Sequence, residues 1–469
     1  MAPIPSFEER WLAGRAGRAN APRTSHGVWA PPDHRADPVA LLEEQATSRL
    51  PDLVPLRHAR MMVSPFTFYR GAALIMAADL ATTPTSGIEV QLCGDAHLSN
   101  FGVFASPERD LVFDINDFDE TLPGPWEWDV KRLAASFEIA GRSNGYTEAQ
   151  RRSATRAVAR GYRERMNIAA RSGVLEAWYD HLDAEKLTEL VRNETRDDSA
   201  GQRQVETAEQ VIAKAKTRDS TRALKKLVGT VNGERRILAD PPLIVPIEDL
   251  EPLAVTREQR IQWMRGLIAA YQETLPGDRH PIEEFDYVHL ALKVVGVGSV
   301  GTRAWIVLFT GRDDKDVLLL QAKEAQESVL ERFLKPSKYA SHGERVVRGQ
   351  RLMQSASDIF LGWHTVPAIS GEIRDYYFRQ LADWKGSVNI DGARAAGAKT
   401  YANLCGQTLA RAHARAGDRI AIAAYLGDSD RFDDAISDFA RDYADQNDRD
   451  YETFVQAVQS GRIEASELA

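Results

Sequence analysis

The sequence predicts an α+β fold with a small antiparallel sheet lobe and a large helical lobe, and three observations support this prediction. Residues 284–325 are rich in β-branched and aromatic side chains, with glycines and one charged turn between the runs, which is typical of strands. The stretches that begin at Trp126 and Lys399 space their apolar residues by three and four, as amphipathic helices do. Two short apolar runs, in "GIEVQLCGDAH" and "RDLVFDIND", each lead into an acidic loop.

The composition is that of an ordinary globular chain. Of the 469 residues, 43% are hydrophobic and 27% are charged, which is enough apolar material for one or more sizeable cores. The formal net charge of -9 argues against a general nucleic-acid binder. Cys93 and Cys405 lie far apart in the sequence, so no disulfide framework is indicated. No segment has the apolar length of a signal peptide or a membrane span, and we expect a cytoplasmic protein.

Composition and periodicity divide the chain into four parts. Residues 1–50 are rich in Arg, Pro and Ala and are predicted to form an irregular arm. Residues 51–283 carry helices in "RGAALIMAADLA", "WDVKRLAASFEIAG" and "REQRIQWMRGLIAAYQETL", the two short strands and a highly charged helical stretch. Residues 284–385 hold the sheet, with one helix in "HGERVVRGQRLM" and a strand in "DYYFRQLADW". Residues 386–469 return to helix and are predicted to complete the helical lobe.

A glycine-rich stretch, "GVGSVG", lies at the first turn of the predicted sheet. A dinucleotide-binding turn opens a helix, whereas this stretch leads into "TRAWIVLF", a charged turn and "VLLLQAK". A glycine loop at the first turn of a three-stranded meander is how kinase-like enzymes cover nucleotide phosphates. The candidates for nucleotide binding are therefore Gly296, Gly298, Ser299 and Gly301, with Lys323 at the end of the third strand. A glycine-rich hairpin with an edge lysine is the structural alternative.

Two acidic loops follow the short strands in the first half of the chain. "CGDAHLSN" places Asp95 five residues before Asn100, and "VFDINDFDE" contains Asp114 and Asp117. Carboxylates this close repel one another unless a cation or a substrate lies among them. In kinase-like enzymes a catalytic aspartate precedes a metal-binding asparagine, and a later aspartate is a second metal ligand. We therefore predict Asp95 as the catalytic base, and Asn100 with Asp117 or Asp114 as ligands of Mg.

The motif "CGDAHLSN" resembles the loop H-G-D-x-H-x-x-N of the aminoglycoside and choline phosphotransferase branch of the kinase-like superfamily, with Cys93 in place of the leading histidine. That branch has another aspartate about twelve residues after the metal-binding one, at the start of a helix. The separation from Asp117 to Asp129 is twelve residues, and that from Asp114 is fifteen. The resemblance therefore favours Asp117 over Asp114 as the metal ligand.

The order of these parts differs from that of an ordinary kinase, because the glycine loop follows the acidic loops by about 200 residues. The helix "LCGQTLARAHARAGD" resembles the "LARLHA" helix that precedes the catalytic loop in the phosphotransferase branch. A cyclic shift restores the usual order, so the resemblance implies a bilobal, circularly permuted protein-kinase-like fold in which helix 401–416 packs beside loop 93–100. Residues 40–430 also resemble an uncharacterised bacterial family that is assigned to the kinase-like superfamily.

The resemblance implies an ATP- and Mg-dependent phosphotransferase that acts on a hydroxyl group of an unidentified acceptor, with a small molecule favoured over a protein. Asp95 would deprotonate the acceptor, Asn100 and Asp117 would hold Mg, and Lys323 would pair with the nucleotide phosphates. Two alternatives keep the nucleotide: transfer of AMP, and a pseudokinase without turnover. A metallophosphoesterase is disfavoured because the "DAH" motif has no G-N-H or H-x-H partner among the ten histidines.

Two side chains near these motifs have both a functional and a structural interpretation. His97 either contacts a phosphate or braces its loop through backbone hydrogen bonds. Glu344 follows Lys323 by 21 residues on a predicted helix, so it is a candidate for the ion pair that positions the lysine. Glu327 and Glu331 compete for that role, and Glu344 could equally be a surface residue.

Two other segments are candidates for contacts with ligands. The backbone near Gln380 and Leu381 would meet adenine if "YYFRQLADW" enters the hinge between the lobes, and otherwise belongs to a core strand. Arg57, Arg60 and Arg70 lie between apolar residues in "RHARMMVSPFTFYRG". They either bind an anionic substrate or phosphate, or cap the acidic loops.

Overall fold

The computed structural model describes residues 4–195, 201–217, 220–250, 257–313, 315–367, 372–381, 384–388 and 390–466. Its helices are α1 (Phe7–Asn20), α2 (Pro38–Ala46), α3 (Val54–Met61), α4 (Pro65–Gly71), α5 (Ala73–Leu80), α6 (Trp126–Ser143), α7 (Glu148–Arg171), α8 (Val174–Tyr179), α9 (Ala184–Glu194), α10 (Gly201–Lys216), α11 (Ser220–Leu227), α12 (Arg257–Gln272), α13 (His342–Met353), α14 (Ala395–Ala416), α15 (Arg419–Leu426) and α16 (Arg431–Gln459). Its strands are β1 (Glu89–Leu92), β2 (Phe101–Ala105), β3 (Leu111–Ile115), β4 (Leu122–Pro125), β5 (Val228–Val231), β6 (Glu234–Ile237), β7 (Ile244–Pro246), β8 (Asp286–Lys293), β9 (Ala304–Thr310), β10 (Val317–Ala325), β11 (Gly362–Pro367), β12 (Ile373–Gln380) and β13 (Gly386–Ser387). None of the described helices is both long and apolar enough to cross a membrane.

The sheet lobe is built on a six-stranded sheet in the order β11–β12–β10–β9–β8–β7. Every neighbouring pair in this sheet is antiparallel, as the sequence predicts. Side chains alternate between the two faces of a strand, so Ile306 and Leu308 of β9 pack with the β5–β6 hairpin and α11. Val307 and Phe309 pack with α12 on the opposite face. Burial on both faces explains why the central strands are almost continuously apolar.

The sheet lobe begins earlier than the predicted boundary at residue 284. Strand β7 pairs with β8 at the edge of the sheet, and β6 and α11 add Ile237 and Leu227 to the same apolar cluster as β9. Helix α12 contributes Met264 and Tyr271 to the cluster on the other face. The helical part of the chain therefore ends before α11. The sequence does not show this boundary, because the strands in "VGTVNGERRI" are too short and too charged for a clear alternation of apolar and polar residues.

The helical lobe combines segments from both ends of the chain. Helix α7 lies against α14 at close range, because a Cβ atom on Gly406 would overlap the Val158 carbonyl oxygen and one on Gly161 would lie 2.5 Å from the Asn403 carbonyl oxygen. Trp126, at the start of α6, is fully buried, and its ring stacks on that of Tyr162 at a centroid distance of 5.3 Å. Small residues at the helix contacts and large rings between them fill the core of this lobe.

Helix α14 packs beside the loop at 93–100, as the sequence predicts. The Tyr401 hydroxyl donates to the carbonyl oxygens of Leu98, at 2.8 Å, and Phe101, at 3.2 Å. At the other end of the helix, Gly417 forms a β-bridge with Val90. Residues separated by about 300 positions in the sequence are therefore direct neighbours in the helical lobe.

The N-terminal arm was predicted to be irregular, but it contains the helices α1 and α2. Ser6 and Glu9 form a capping box at the start of α1, in which each side chain accepts from the backbone amide of the other residue. Arg10 pairs with Asp418 at 2.7 Å, and a Cβ atom on Gly14 would overlap the Ala421 backbone. The capping box stabilises the first turn of a helix of low apolar content, and packing on α15 supplies the rest of its stability.

Candidate functional site

A cleft with a volume of about 870 Å³ is lined by residues of both lobes. The helical lobe contributes Asp95 and Asp117, and the sheet lobe contributes Gly298 and Ser299 of the glycine loop. A volume of this size is in the range of small-molecule and cofactor sites. The structure thus brings together the acidic loops and the glycine loop that the sequence places far apart.

The first acidic loop is fixed by a carboxylate at the start of α6. The Asp129 carboxylate accepts the backbone amides of Cys93, at 2.8 Å, and Gly94, at 3.1 Å, and lies 3.1 Å from His413 Nε2 of α14. Gly94 has a φ of 85°, and a Cβ atom there would overlap the carbonyl oxygen of Glu120 in the second acidic loop. The two acidic loops therefore touch, and only glycine fits between them.

Asp95 lies in the cleft with an arginine behind its carboxylate. Arg132 of α6 donates through Nε to Asp95 Oδ1, and its guanidinium lies 4.4 Å from the centre of the Tyr69 ring. His97 Nε2 lies 3.8 Å from Asp95 Oδ2. Burial raises the pKa of the Asp95 carboxyl, while Arg132 and Arg70 oppose the rise. Arg132 therefore orients the carboxylate through Oδ1, and Asp95 lines the cleft.

Of the two interpretations of His97, its contacts in the structure fit the structural one, in which the ring braces its own loop. Its Nδ1 accepts the backbone amide of Ser99 at 3.2 Å, so the ring proton resides on Nε2, the nitrogen that faces Asp95. Burial lowers the pKa of His97 well below its usual range, and nearby arginines add to this effect. His97 is therefore neutral, and it orients the loop without adding positive charge.

Asn100, a predicted ligand of Mg, joins the two acidic loops through hydrogen bonds. Its Nδ2 donates to the backbone carbonyl of Asp95 at 2.8 Å, and its backbone carbonyl accepts the amide of Asn116 at 2.8 Å. The hydrogen bond from Asn116 holds Asn100 close to the end of β3, from which the chain continues to Asp117. Because the side-chain nitrogen is engaged, the side-chain oxygen is the atom left for a cation.

The second acidic loop presents two carboxylates to the lysine of β10. Lys323 Nζ donates to Asp119 Oδ2 at 2.5 Å and lies 4.0 Å from Asp117 Oδ1. Tyr377, opposite Lys323 in the sheet, donates its hydroxyl to Asp119 Oδ1 at 2.6 Å. Burial and the Asp119 charge raise the pKa of Asp117, whereas Lys323 and Tyr377 outweigh burial and lower the pKa of Asp119. Asp117 is thus the carboxylate whose charge is less well compensated.

Asp114 lies outside this cleft. Its Oδ2 accepts the amide of Ser355 at 2.9 Å and the Ser355 hydroxyl at 3.0 Å, and its Oδ1 accepts the amide of Ile115 at 2.9 Å. Its side chain is buried, and burial raises the pKa of its carboxyl. These bonds use both oxygens to tie β3 to the segment after α13, which is a structural role.

The structure does not bring Glu344 to Lys323. The Glu344 carboxylate accepts from Arg348 at 3.3 Å, one turn further along α13. The residue that faces the second acidic loop is Arg345, whose guanidinium donates to the carbonyl oxygens of Asp119 at 2.9 Å and Thr121 at 2.7 Å. Helix α13 therefore contacts the second acidic loop through the cation Arg345 and not through Glu344.

Neither of the two competing glutamates pairs with Lys323 in the described part of the chain. Glu331 accepts the amides of Ser328 at 3.2 Å and Ser337 at 2.9 Å, so it shapes its own turn. Glu327 lines the cleft. Among the described residues, the carboxylates near Lys323 are those of Asp117 and Asp119.

The glycine loop connects β8 and β9 and rests on the N-terminal segment. Gly296 and Gly301 have φ values of 69° and 91°, in the left-handed region that favours glycine. The Gly296 carbonyl accepts from Arg60 at 2.6 Å, and the Val300 carbonyl accepts from Arg49 at 2.6 Å. These arginines hold the carbonyl side of the loop, and residue Gly298 lies at the cleft.

The backbone groups predicted to meet adenine are engaged within the protein. The Gln380 amide donates to Asp358 Oδ2 at 2.5 Å, and the Gln380 carbonyl accepts from Lys385 at 3.2 Å. The Leu381 amide donates to the Leu319 carbonyl at 3.0 Å. The segment does connect the lobes, because β13 after it pairs with β2, but neither residue lines the cleft.

Several residues of the cleft were not predicted from the sequence. Asp119 lines the cleft and could have been found as the second acid of "DFDE". Arg132 and Tyr377 lie behind the cleft, where they contact Asp95 and Asp119, and the patterns of their helix and strand predict only burial. Arg49 lies within the segment that was predicted to be irregular. Their proximity to the cleft depends on the tertiary structure.

Fold and site together define an α+β protein with a cleft of about 870 Å³, at which acidic loops of a helical lobe meet a lysine and a glycine loop of a sheet lobe. The model of a family described as "Uncharacterized protein conserved in bacteria (DUF2252)" matches residues 49–457, and the chain belongs to this family. Searches of curated proteins and of solved structures found no match.

Proposed function

We propose that this protein is a phosphotransferase that moves a phosphoryl group from ATP to a hydroxyl group of an acceptor, with Mg in the site. The observation that supports this best is the assembly of Asp95, Asp117, Lys323 and the glycine loop around one cleft. The same contacts favour a circularly permuted kinase-like fold, because α14 lies beside the first acidic loop.

The residues of the site fit a magnesium ion. Partial burial and the charge of Asp119 raise the pKa of Asp117, and a cation would relieve both effects. Asn100 offers its amide oxygen, since its amide nitrogen donates to the backbone. Mg usually binds one or two protein carboxylates, with substrate phosphates and water as the other ligands. It would supply charge neutralisation on the phosphates during transfer.

Lys323 and the glycine loop would hold the nucleotide phosphates. The lysine is buried at the junction of the lobes, and its pKa is raised because Asp117 and Asp119 outweigh the effect of burial. It therefore stays charged at neutral pH and can pair with phosphate oxygens. The glycine loop, with Gly298 and Ser299 at the cleft, can approach phosphates closely because it lacks bulky side chains there.

Asp95 would act on the acceptor. Its free oxygen accepts the hydroxyl proton while the acceptor oxygen forms a bond to the γ-phosphorus. The bond between the γ-phosphorus and the β–γ bridging oxygen breaks, and ADP leaves with that oxygen. Arg132 fixes the carboxylate, and its positive charge opposes the effect of burial on the Asp95 pKa.

Two variants separate the proposed roles. Asp117→Ala should weaken binding of Mg with a nonhydrolysable ATP analogue by at least tenfold, because the site loses a carboxylate that water does not replace. Asp95→Asn should keep this affinity within about threefold, while turnover falls by about 10²–10⁴, the usual range for removal of a general base. Calorimetric titration and an assay of ATP consumption with and without Mg measure both quantities.

The exposed Asp110→Asn in the β2–β3 turn is the matched control, and it should change neither quantity. If Asp95→Asn abolishes nucleotide binding while Asp117→Ala binds normally, the two assigned roles are wrong. Wild-type ATP turnover in both variants would place the catalytic centre elsewhere.

AMP transfer and a pseudokinase are the remaining nucleotide-based alternatives, and labelling distinguishes them. The proposed reaction transfers the label of γ-labelled ATP to an acceptor in metabolite extracts, whereas AMP transfer moves the label of α-labelled ATP and releases pyrophosphate. A pseudokinase would bind the nucleotide and transfer neither label. The Asp95→Asn variant provides the blank.

A further inference from the structure

Three arginines of the N-terminal segment form a wall of the same cleft. Arg49, Arg57 and Arg70 all line it, together with Asp95 and Asp117. They come from the end of the arm and from helices α3 and α4. The nucleotide-binding residues proposed above belong to other elements, so this wall has no part in the proposed function so far.

The guanidinium of Arg57 is buried without a compensating anion. Its side chain has 0% exposure, and Nη2 donates to Gln45 Oε1 and to the Gly71 carbonyl, both at 2.8 Å. Its Nε and Nη1 are buried and have no hydrogen-bond partner among the described residues. Burial of a charge without a partner is costly, so a protein that retains one usually has a use for it.

The other two arginines have the same deficit. Arg49 is 8% exposed and donates through Nη1 to the Val300 carbonyl, while its buried Nε has no partner among the described residues. The buried Nε of Arg70 is also without a partner in the described part of the chain. No carboxylate oxygen of the described residues lies within 4.0 Å of any of the three side chains. Arginines that cap acidic loops, the structural interpretation, would make such ion pairs.

We propose that Arg49, Arg57 and Arg70 form a subsite for a phosphate group that the acceptor itself carries. Arginine presents several N–H donors in a fixed plane and binds phosphate oxygens in pairs. Arg70 and Asp95 line the same cleft, and Asp95 is the carboxylate that most opposes the effect of burial on the pKa of Arg70, so the wall adjoins the residue proposed to activate the acceptor. Lys323 and the glycine loop already account for the nucleotide phosphates. The proposal rests on the proposed function only in calling Asp95 the acceptor-side residue.

The subsite narrows the class of acceptor. Choline and the aminoglycosides carry no phosphate group, so they offer these guanidinium groups no anion to bind. A hydroxylated metabolite that bears a phosphate would instead supply the missing anion and place its hydroxyl group near Asp95. The predicted substrate is therefore a phosphorylated small molecule.

The test measures inorganic phosphate binding by calorimetry while the site is saturated with Mg and a nonhydrolysable ATP analogue. The wild-type protein should bind phosphate under these conditions. Arg70→Gln and Arg49→Gln should each weaken phosphate binding at least tenfold. Arg70→Gln should also keep affinity for the ATP analogue within threefold, and only this variant tests nucleotide affinity, because Arg49 also holds the Val300 carbonyl of the glycine loop. Arg312→Gln, which removes the same charge from the exposed β9–β10 turn, should change neither affinity.

Two outcomes would overturn the subsite. If phosphate competes with the ATP analogue, the arginines bind the nucleotide. If both arginine variants bind phosphate as tightly as the wild-type protein, phosphate binds elsewhere. Asp95→Asn should still bind phosphate, because the subsite does not include this carboxylate. The arginine variants can also be titrated with phosphate in the absence of nucleotide. Phosphate binding that depends on the arginines would therefore support the subsite even if the protein does not turn over ATP.

Discussion

The most direct structural prediction concerns Asp129, whose carboxylate holds the first acidic loop against α6. It accepts the backbone amides of Cys93 and Gly94 and lies 3.1 Å from His413 Nε2, all in the protein interior. A hydrogen bond to a charged group contributes about 1.5–3 kcal/mol. Asp129→Ala removes both amide bonds and should lower the free energy of unfolding by about 3–5 kcal/mol. Asp129→Asn retains one acceptor oxygen and should cost about 2 kcal/mol.

Urea denaturation followed by circular dichroism measures this free energy. The matched control is Asp430→Asn, because the Asp430 carboxylate is 62% exposed and pairs with Arg156 at 3.2 Å. Exposed pairs contribute little, so the control should stay within about 0.5 kcal/mol of the wild type. If Asp129→Asn is as stable as this control, the carboxylate does not fix the loop and the argument from its three contacts is wrong.

Three further predictions follow from single residues of the helical lobe. Gly94→Ala should lower the free energy of unfolding by more than about 2 kcal/mol, because φ is 85° and a Cβ atom would overlap the Glu120 carbonyl. Equal urea midpoints for this variant and the wild type would contradict the contact between the acidic loops. Burial lowers the pKa of Lys131 to about 7, so between pH 7 and the ordinary value near 10.5 the unfolded chain binds more protons and this residue makes stability rise with pH. Lys131→Met should flatten that slope and stabilise the protein at pH 7, and an unchanged slope in pH-dependent melting would refute this. Arg132→Gln should move the acid limb of the pH profile of kcat/KM to higher pH, because Arg132 opposes the rise in the pKa of Asp95; an unshifted limb would remove Asp95 as the titrating base.

The sequence predicts those parts of the fold and site that depend on local spacing. Asp95, Asn100 and Asp117 lie in short loops after strands, where a separation of a few residues fixes the geometry. The antiparallel sheet was predicted because a short glycine loop and the charged turn "TGRDDKD" join consecutive strand runs, and connections this short join antiparallel strands. Even the contact between α14 and the first acidic loop could be predicted, because it was inferred from a motif in each segment and needed no knowledge of the intervening chain.

The remainder depends on helix phase, weak patterns and tertiary contacts. Helix α13 was predicted, but a difference of one residue, about 100° of rotation, decides that Arg345 and not Glu344 faces the second acidic loop. The arm was predicted to be irregular although "SFEE" contains a capping box, because its apolar content is low. The boundary at residue 284 was too late because β5 to β7 are short.

The electrostatics of the second acidic loop select Asp117 by a route independent of sequence spacing. Asp119 already has its charge compensated by Lys323 and a hydrogen bond from Tyr377, so its pKa is lowered. Asp117 lies 4.0 Å from the same lysine, and its pKa remains raised. A cation therefore gains more at Asp117 than at Asp119. The separation of twelve residues from Asp117 to Asp129 leads to the same carboxylate, and because the two arguments share no observation, their agreement strengthens the proposed metal ligand.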